Sequence, residues 1–443
     1  MKIRFLTAAL VALTLGSAHG LTLEEAVKRA LEKNNSLKAK KIELQEKFYD
    51  FKTAKARLLP SVELFSDYNK TTDPPYAIMN RMEVKKLDMM GTNFNDPGKS
   101  QLFRTGLKTQ VPIWMGGKLR IAVDLTEKEV KATKEQVKKS ENKVIYDVVR
   151  AYYNVLTARA FVETAQLAVR DAERHLKDAQ AVYKAGLGLK SDVLRAKVYL
   201  EQMEENLVKA KSSYQVALRA LKVAMGEFPK GDISVDGELI YKEFNFNLDS
   251  LIEAALKNRP ELKELDIRLS QSKDMERMAK ADFMPKVGAF GEIFMADDSV
   301  PWNKENSSWM VGVSASINLF NGGQKFYQLR KSRIAQLKVK EYREQAEKGI
   351  AFEVSQAYYD FTSAKKRVEL ARAALESAQE SLRIVEKRYR NGVATITELL
   401  DTQTALNQAR SSFVAALSAY RQAVAKIYYA TGELPKKYPQ LTR

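Results

Sequence analysis

The chain has 443 residues, a formal net charge of +18, two histidines and no cysteine. Without cysteine it can form neither disulfides nor thiolate metal sites, and no phosphate-binding loop or nucleophile with its base can be recognised. Basic and acidic residues are interspersed along helical faces, as between Glu127 and Lys139, without a basic-aromatic patch. We therefore expect no enzyme, no cofactor, no bound metal and no nucleic-acid partner.

Residues 1–20 have the pattern of a secretory signal peptide. Lys2 and Arg4 precede an apolar run from Phe5 to Leu15, and small residues follow at the positions that a signal peptidase reads. With no cysteine for acylation, the mature N-terminus near Leu21 is expected to carry no lipid. After this segment no run of about 18 apolar residues occurs, so we expect strands rather than helices to meet a bilayer.

The rest of the chain repeats itself at fixed offsets. The offset is 225 residues at the start of each copy, where Leu23, Leu31, Leu37 and Pro60 match Leu248, Leu256, Leu262 and Pro285. Further along each copy the offset is 206 residues, so that Gly116-Gly117, Ala151-Tyr152-Tyr153 and Gly226 match Gly322-Gly323, Ala357-Tyr358-Tyr359 and Gly432. The change indicates a longer loop in the first copy. We predict one architecture of two structural repeats, 21–226 and 247–432, with a linker at 227–246 and a tail at 433–443.

Each repeat begins with a helical lead-in and continues with two strands, predicted at about 61–70 and 102–113 and again at about 286–296 and 308–320. One face of the second strand contains Phe103, Thr105, Leu107, Thr109, Val111 and Ile113. This alternation is typical of a membrane strand, although a soluble sheet alternates in the same way. Four strands leave open edges that a bilayer does not tolerate, and about eight are the fewest that close a barrel. We therefore expect several chains to share one barrel; three chains would supply twelve strands, a count that leaves a lumen. The outer loops are expected at 69–101 and 296–308.

Long helices are predicted at 118–185 and 324–391, followed by return helices at 192–224 and 398–430. Each long helix has about 68 residues, or roughly 100 Å at 1.5 Å per residue. Apolar residues recur every seven positions, as at Val148, Val155 and Val162, beside a seam of alanines. This pattern predicts tight antiparallel coiled-coil hairpins. The alternative is a periplasmic coiled-coil structural or adaptor-like protein without a pore.

Several segments in this order resemble the TolC family of outer-membrane efflux channels. They are the signal peptide, the paired repeats, the strand ends V-P-I-W-M-G-G-K and I-N-L-F-N-G-G-Q, and the hairpin turns Y-K-A-G-L-G-L-K-S-D-V-L and Y-R-N-G-V-A-T-I-T-E-L-L-D. The resemblance covers about 21–432. It implies a mainly α homotrimer in the cell outer membrane, in which a twelve-stranded β-barrel is continuous with a twelve-helix coiled-coil tunnel in the periplasm.

The resemblance also implies a function. The chain would be the passive exit duct of a tripartite efflux or type I secretion system, contacting outer-membrane lipid, a periplasmic adaptor (membrane fusion) protein and, through it, an inner-membrane pump. Residues 21–35, 227–246 and the tail would form a belt around the tunnel. The exported substrate, whether drug, metal ion or protein, is not predicted by the sequence.

Three sets of site residues follow from the resemblance. Adaptor contact would be made by the hairpin tips, Gly186, Leu187, Gly188, Gly392, Val393 and Ala394. A carboxylate ring at the tunnel entrance, serving as gate and selectivity filter, would be formed by Glu398 and Asp401. Asp192 and Tyr389 are candidates for the polar ties that close the gate, but Ala394 stands where the family has an arginine. In the alternative interpretation the glycines only allow the hairpin turns to close. The carboxylates would then lie in the solvent-exposed first turn of a helix, where acidic residues are favoured.

Overall fold

A computed structural model describes residues 20–441, so the predicted signal peptide lies, apart from Gly20, outside the described residues. The chain divides into two compact units, one of residues 20–41, 136–262 and 346–441 and the other of residues 42–135 and 263–345. The elements within the described part are α1 (Leu23–Lys33), α2 (Asn35–Ala56), β1 (Ser61–Thr71), α3 (Pro74–Glu83), β2 (Ser100–Met115), α4 (Lys118–Lys184), α5 (Lys190–Ala224), α6 (Leu248–Asn258), α7 (Pro260–Lys280), β3 (Lys286–Asp297), β4 (Ser307–Ser316), α8 (Gln324–Arg390), α9 (Ile396–Ala430) and α10 (Leu434–Lys437).

The second unit contains an antiparallel sheet in the order β1-β2-β3-β4. The register places Leu64 opposite Leu107 and Ile293 opposite Trp309. One face of this sheet is apolar, and residues on it are 46 to 73% exposed: Val62, Leu64, Leu107, Ile293, Trp309, Val311 and Val313. Within the described residues, the outer edges of β1 and β4 have no partner strand. The sheet therefore carries an uncovered apolar face and two open edges.

Three details of this unit differ from the sequence-based expectation. The pairing of β2 with β3 shifts between Pro112 and Trp114, so Ile113 lies at a bulge and does not continue the alternation. Strand β4 ends at Ser316 rather than at residue 320. The predicted outer loop 69–101 contains helix α3, because Pro74 and Pro75 occupy its first turn, where a missing N–H and a fixed φ are compatible with a helix.

The first unit is built on the helical hairpins α4/α5 and α8/α9. The seams predicted from the seven-residue spacing are buried over part of their length: in α4, Val148, Val155, Ala172 and Ala179 are at most 2% exposed, whereas Val162 is half-buried. The same holds in α8, where Val354, Ala357, Phe361 and Val368 are at most 3% exposed. No helix in residues 20–441 is both long and apolar enough to span a membrane.

Three non-hairpin segments pack against α4 and α9 in this unit. The Tyr420 hydroxyl donates to the carbonyl of Lys242 at 2.8 Å and accepts from the N–H of Phe244 at 3.1 Å, which holds the extended segment 227–246. Leu21 pairs with Val235 of the same segment. The Tyr153 hydroxyl donates to the carbonyl of Leu441 at 2.8 Å. Burial raises the pKa of Tyr420 to about 12, so the phenol stays protonated as a donor at neutral pH.

Candidate functional site

The first hairpin tip is closed by a glycine. Helix α4 ends at Lys184, and Gly186 takes a φ of +76°, which is favourable only without a Cβ. The N–H of Leu187 donates to the carbonyl of Val182 at 3.1 Å, as in a helix-ending motif. Leu187 is 82% exposed, so the turn presents an apolar side chain to solvent.

The second tip repeats this geometry and adds a cap. Gly392 has a φ of +72°, and the N–H of Val393 donates to the carbonyl of Arg388 at 2.8 Å. Val393 is 67% exposed. The Thr395 hydroxyl accepts from the N–H of Glu398 at 3.2 Å and caps α9, whereas Leu189, at the corresponding start of α5, makes no side-chain cap.

The tips are joined by a small apolar core drawn from four helices. Its buried members are Ala179, Ala196, Leu382, Val385, Ile396, Leu399 and Leu406. Tyr389 and Ala394 pack against this cluster and are partly buried. The position where the family has an arginine is thus a packing position in this chain.

The two predicted ring carboxylates have different surroundings. Glu398 lies 2.6 Å from the guanidinium of Arg388, ten residues earlier across the turn. Asp401 is exposed and makes no ion pair within residues 20–441. It lines a cavity of about 430 Å³ between α5 and α9, together with Leu194, Val198, Tyr199 and Leu400 among others. Within the described residues Asp401 therefore has no ion-pair partner, whereas Glu398 is paired with Arg388.

The predicted tie candidates lie close enough to interact electrostatically. Burial raises the pKa of the Tyr389 phenol, and the carboxylates of Asp192 and Asp178 raise it further. Among the described residues, no hydrogen bond joins Tyr389 to Asp192. The tie involving these two residues stays a prediction.

Contacts between the two hairpins involve arginines that the sequence reasoning did not identify. The Arg174 guanidinium of α4 lies 2.9 Å from Glu386 of α8. The Arg195 guanidinium of α5 donates to the Thr397 hydroxyl of α9 at 2.7 Å. These contacts depend on which helices become neighbours, so no local signal indicated them.

A buried polar network lies a few turns inside the tips. His175 is 1% exposed, and its Nε2 lies 2.9 Å from the Gln403 amide oxygen, to which it donates. The Gln403 Nε2 donates to Asp171 at 3.2 Å and to the side-chain oxygen of Asn407 at 3.2 Å. In the sequence His175 lies among charged residues, which by themselves do not indicate burial. Its spacing of three and four residues from Ala172 and Ala179 was the signal for an inward position.

The network continues to a third helix. The Asn407 Nδ2 donates to the Tyr199 hydroxyl at 3.1 Å, and burial raises the pKa of that phenol. Arg410 lies 2.9 Å from Asp171. The network thus joins α4, α5 and α9. Such a fully connected arrangement is costly to break, because each buried group would lose its partner.

Within residues 20–441, no group of three or more acidic, histidine or cysteine side chains is placed to hold a metal ion. The contacts described at the tips are apolar packing, ion pairs and hydrogen bonds.

Comparisons with known proteins agree with this architecture. TolC of Salmonella enteritidis is 24% identical over 263 residues, which cover 57% of this chain and 53% of TolC. The alkaline protease secretion protein AprF of Pseudomonas aeruginosa is 22% identical over 266 residues, covering 58% of this chain and 54% of AprF. The chain thus spans about half the length of the curated relatives it matches. VceC of Vibrio cholerae, an outer membrane protein of known structure, has the same fold, with a TM-score of 0.76, 18% identity and coverage of 93% of this chain and 96% of VceC.

The model of the outer membrane efflux protein family matches residues 26–227 and 251–433. The unmatched stretch between them falls mainly in the extended segment 227–246. The match covers most of both repeats, confirms the resemblance derived from the sequence, and places the chain in the outer membrane. The protein is a member of the outer membrane efflux protein family.

Proposed function

We propose that three copies of this chain form the outer-membrane exit duct of a tripartite efflux or type I secretion system. Substrates would pass through it passively, driven by an inner-membrane pump that is engaged through a periplasmic adaptor. The proposed function involves no catalytic step.

The observation that carries the proposal is the four-stranded sheet with an uncovered apolar face. An isolated sheet of this size cannot satisfy its edge groups in hydrocarbon, so it requires further strands from other chains. Three copies would supply twelve strands in a closed barrel, with the apolar face toward lipid. The opposite face carries charged and polar residues such as Glu63, Arg104 and Lys108, which suits a wet lumen.

Exposed apolar side chains on the helices support association of several copies. On α8, six large ones are 62 to 71% exposed: Phe326, Tyr327, Ile334, Leu337, Phe352 and Tyr359. On α5, Leu194, Val198, Val208, Val216 and Val223 are 53 to 67% exposed. Monomeric soluble proteins rarely leave this much apolar surface uncovered along one element. We infer that neighbouring copies cover these surfaces.

The gate would lie at the start of α9. Three copies of Asp401 near a common axis would concentrate negative charge, attract cations and bind divalent ions at a constriction. Glu398 would contribute less, because Arg388 offsets its charge. Tyr389 and Asp192 remain candidates for the closed-state tie, and opening would separate α9 from its neighbours.

The adaptor would contact the tips. Leu187 and Val393 are exposed apolar residues on glycine turns, and the exposed lysines Lys184, Lys190 and Lys387 lie within six residues of them in the chain. This surface suits a partner that offers apolar side chains with acidic neighbours.

Conductance in a planar bilayer tests the proposal. We expect the purified protein to give small, cation-selective events that divalent cations block. Asp401→Asn should weaken both selectivity and block, whereas Glu376→Gln, which removes an exposed carboxylate of α8, should change neither. A protein that fails to insert into the bilayer would support the coiled-coil protein without a pore. If Asp401→Asn leaves both the cation selectivity and the divalent block unchanged, the proposed gate is contradicted.

A further inference from the structure

A cavity of about 610 Å³ opens at the loop end of the sheet, opposite the end at which β2 leads into α4. It is lined by the end of β1, helix α3, the start of β2 and the loop that follows β3. Four cationic side chains line it: Lys70, Arg81, Lys86 and Lys99. Ser100, Gln101 and Ser299 add hydroxyl and amide groups.

Most of this positive charge has no counterion in the protein. Lys86 lies 2.8 Å from both carboxylate oxygens of Asp298. Within residues 20–441, Lys70 and Lys99 make no ion pair, and Arg81 donates to the backbone carbonyl of Pro97 rather than to a carboxylate. One carboxylate therefore faces four cations, which leaves the cavity strongly attractive to an anion.

One lysine of the cavity, Lys70, continues the apolar, lipid-directed face of the sheet. Lys70 is two residues beyond Tyr68 on this face and pairs with Gln101 in the register. The Tyr68 and Phe103 rings contact each other there, with centroids 4.6 Å apart. An aromatic pair followed by a lysine is typical of the membrane–water interface, where the ring lies at headgroup level and the ammonium reaches the aqueous side.

Cations on the opposite face of the sheet are neutralised by the protein itself. Arg104 lies 2.9 Å from Glu292 and 3.4 Å from Glu83, and Lys108 lies 3.1 Å from Glu63. An anionic substrate moving along that face would meet paired charges. Of the unpaired cations, Lys70 lies on the lipid-directed face, whereas Arg81 is on α3, which packs against the opposite face. The position of Lys70 beyond the aromatic pair, at the end of the sheet, favours a lipid ligand over a transported one.

We infer that this cavity binds the phosphate group of a lipid headgroup in the outer leaflet. Lys70 and Lys99 would contact the phosphate oxygens, Arg81 would donate to a further oxygen, and the acyl chains would lie along the apolar face below Tyr68. Basic pockets at membrane level bind anionic headgroups in this way. The inference rests on the outer-membrane location and not on conduction, so a closed or inactive channel would bind the lipid equally well.

Lipid retention by the detergent-purified full chain tests this inference. The probes are phosphatidic acid and diacylglycerol with identical acyl chains, which differ only in the phosphate. Native mass spectrometry should show preferential retention of phosphatidic acid by the unmodified protein. Lys70→Gln/Lys99→Gln should lower this retention about tenfold. Both lysines are exposed, so the variant should fold normally.

The control is Lys286→Gln/Lys304→Gln, which removes two exposed lysines outside the cavity. It should retain phosphatidic acid like the unmodified protein. Equal retention of both probes, or full retention by Lys70→Gln/Lys99→Gln, would overturn the inference. Displacement of the lipid by an equal concentration of inorganic phosphate would indicate a site for free anions and would overturn the lipid assignment.

Discussion

The return helices α5 and α9 have the same length, 35 residues, and the same seven-residue apolar pattern, yet they are packed differently. Helix α9 buries fifteen residues, including Leu399, Leu406 and Tyr420, whereas α5 buries five. The difference arises because α9 contributes three residues to the tip core where α5 contributes one, and because Tyr420 and Arg421 of α9 bond to Lys242 and to Leu441 of the tail. Equivalent positions in a sequence repeat can therefore have separate roles: α9 is packed within the protomer, and α5 leaves apolar side chains exposed, which we propose that another copy covers.

The largest expected effect concerns the tip core. Leu399→Ala, at a position 1% exposed, should lower the local opening free energy of the tip by about 2–4 kcal/mol, because it leaves a cavity. Leu194→Ala on α5, where the side chain is 53% exposed, should cost under about 0.5 kcal/mol in the protomer. Hydrogen exchange of the amides in 375–400 measures the difference. Equal protection in the two variants would remove the proposed contrast between the helices.

The second effect concerns the buried network. Gln403→Leu should lower the same opening free energy by about 1–3 kcal/mol, because His175 and Asp171 would lose a hydrogen-bond partner. Gln408→Leu, at an exposed position of the same helix, is the matched control and should have little effect. If both substitutions leave exchange unchanged, the network does not hold α9 in place.

A smaller effect is expected at the helix starts. Thr395→Ala removes the cap of α9 and should cost about 1 kcal/mol of local stability. Leu189→Ser should give α5 the side-chain cap that it lacks and slow exchange in its first turn. Slower hydrogen exchange in α5 of Leu189→Ser, together with faster exchange in α9 of Thr395→Ala, would show that the two helix starts differ by the side-chain cap. Loss of protection in both helices would contradict the assignment of Leu189 as an uncapped start.

The smallest effect on stability is expected for the exposed ion pair at the tip. Arg388→Ala should cost under about 1 kcal/mol, because solvent screens the pair with Glu398. The same change exposes the Glu398 charge, so cation selectivity and divalent block should both increase in single-channel recordings. Lys387→Ala, which removes a neighbouring exposed cation without a described carboxylate partner, is the control. Identical recordings for the two variants would exclude a specific role for the pair at the gate.

Much of the architecture was accessible from the sequence because it depends on short-range periodicity. The alternation around Leu107 predicts a strand, and the seven-residue spacing from Val148 predicts a helical seam. Both patterns involve residues that are close in the chain. Helix α3 was missed because its proline pair also suits a turn, and only its packing on the end of the sheet distinguishes the two.

At the candidate site the glycine turns were predictable from the sequence, and their geometry is present in the structure. Glu398 and Asp401 were indicated only by the resemblance to the family, and their role at a gate stays a prediction. The sequence did not indicate that Arg388 pairs with Glu398 or that Arg195 reaches Thr397, because both contacts depend on side chains meeting across a turn or between hairpins.

The sequence by itself determined the two repeats, the helices, the strands and the family, because each depends on local pattern and on order along the chain. Only the tertiary structure decided that α9 is buried while α5 is exposed, that His175 is a core residue, and that the unpaired cations gather around one cavity at the loop end of the sheet. These properties depend on distant segments becoming neighbours, and the free energy of burying or pairing a group is set by those neighbours.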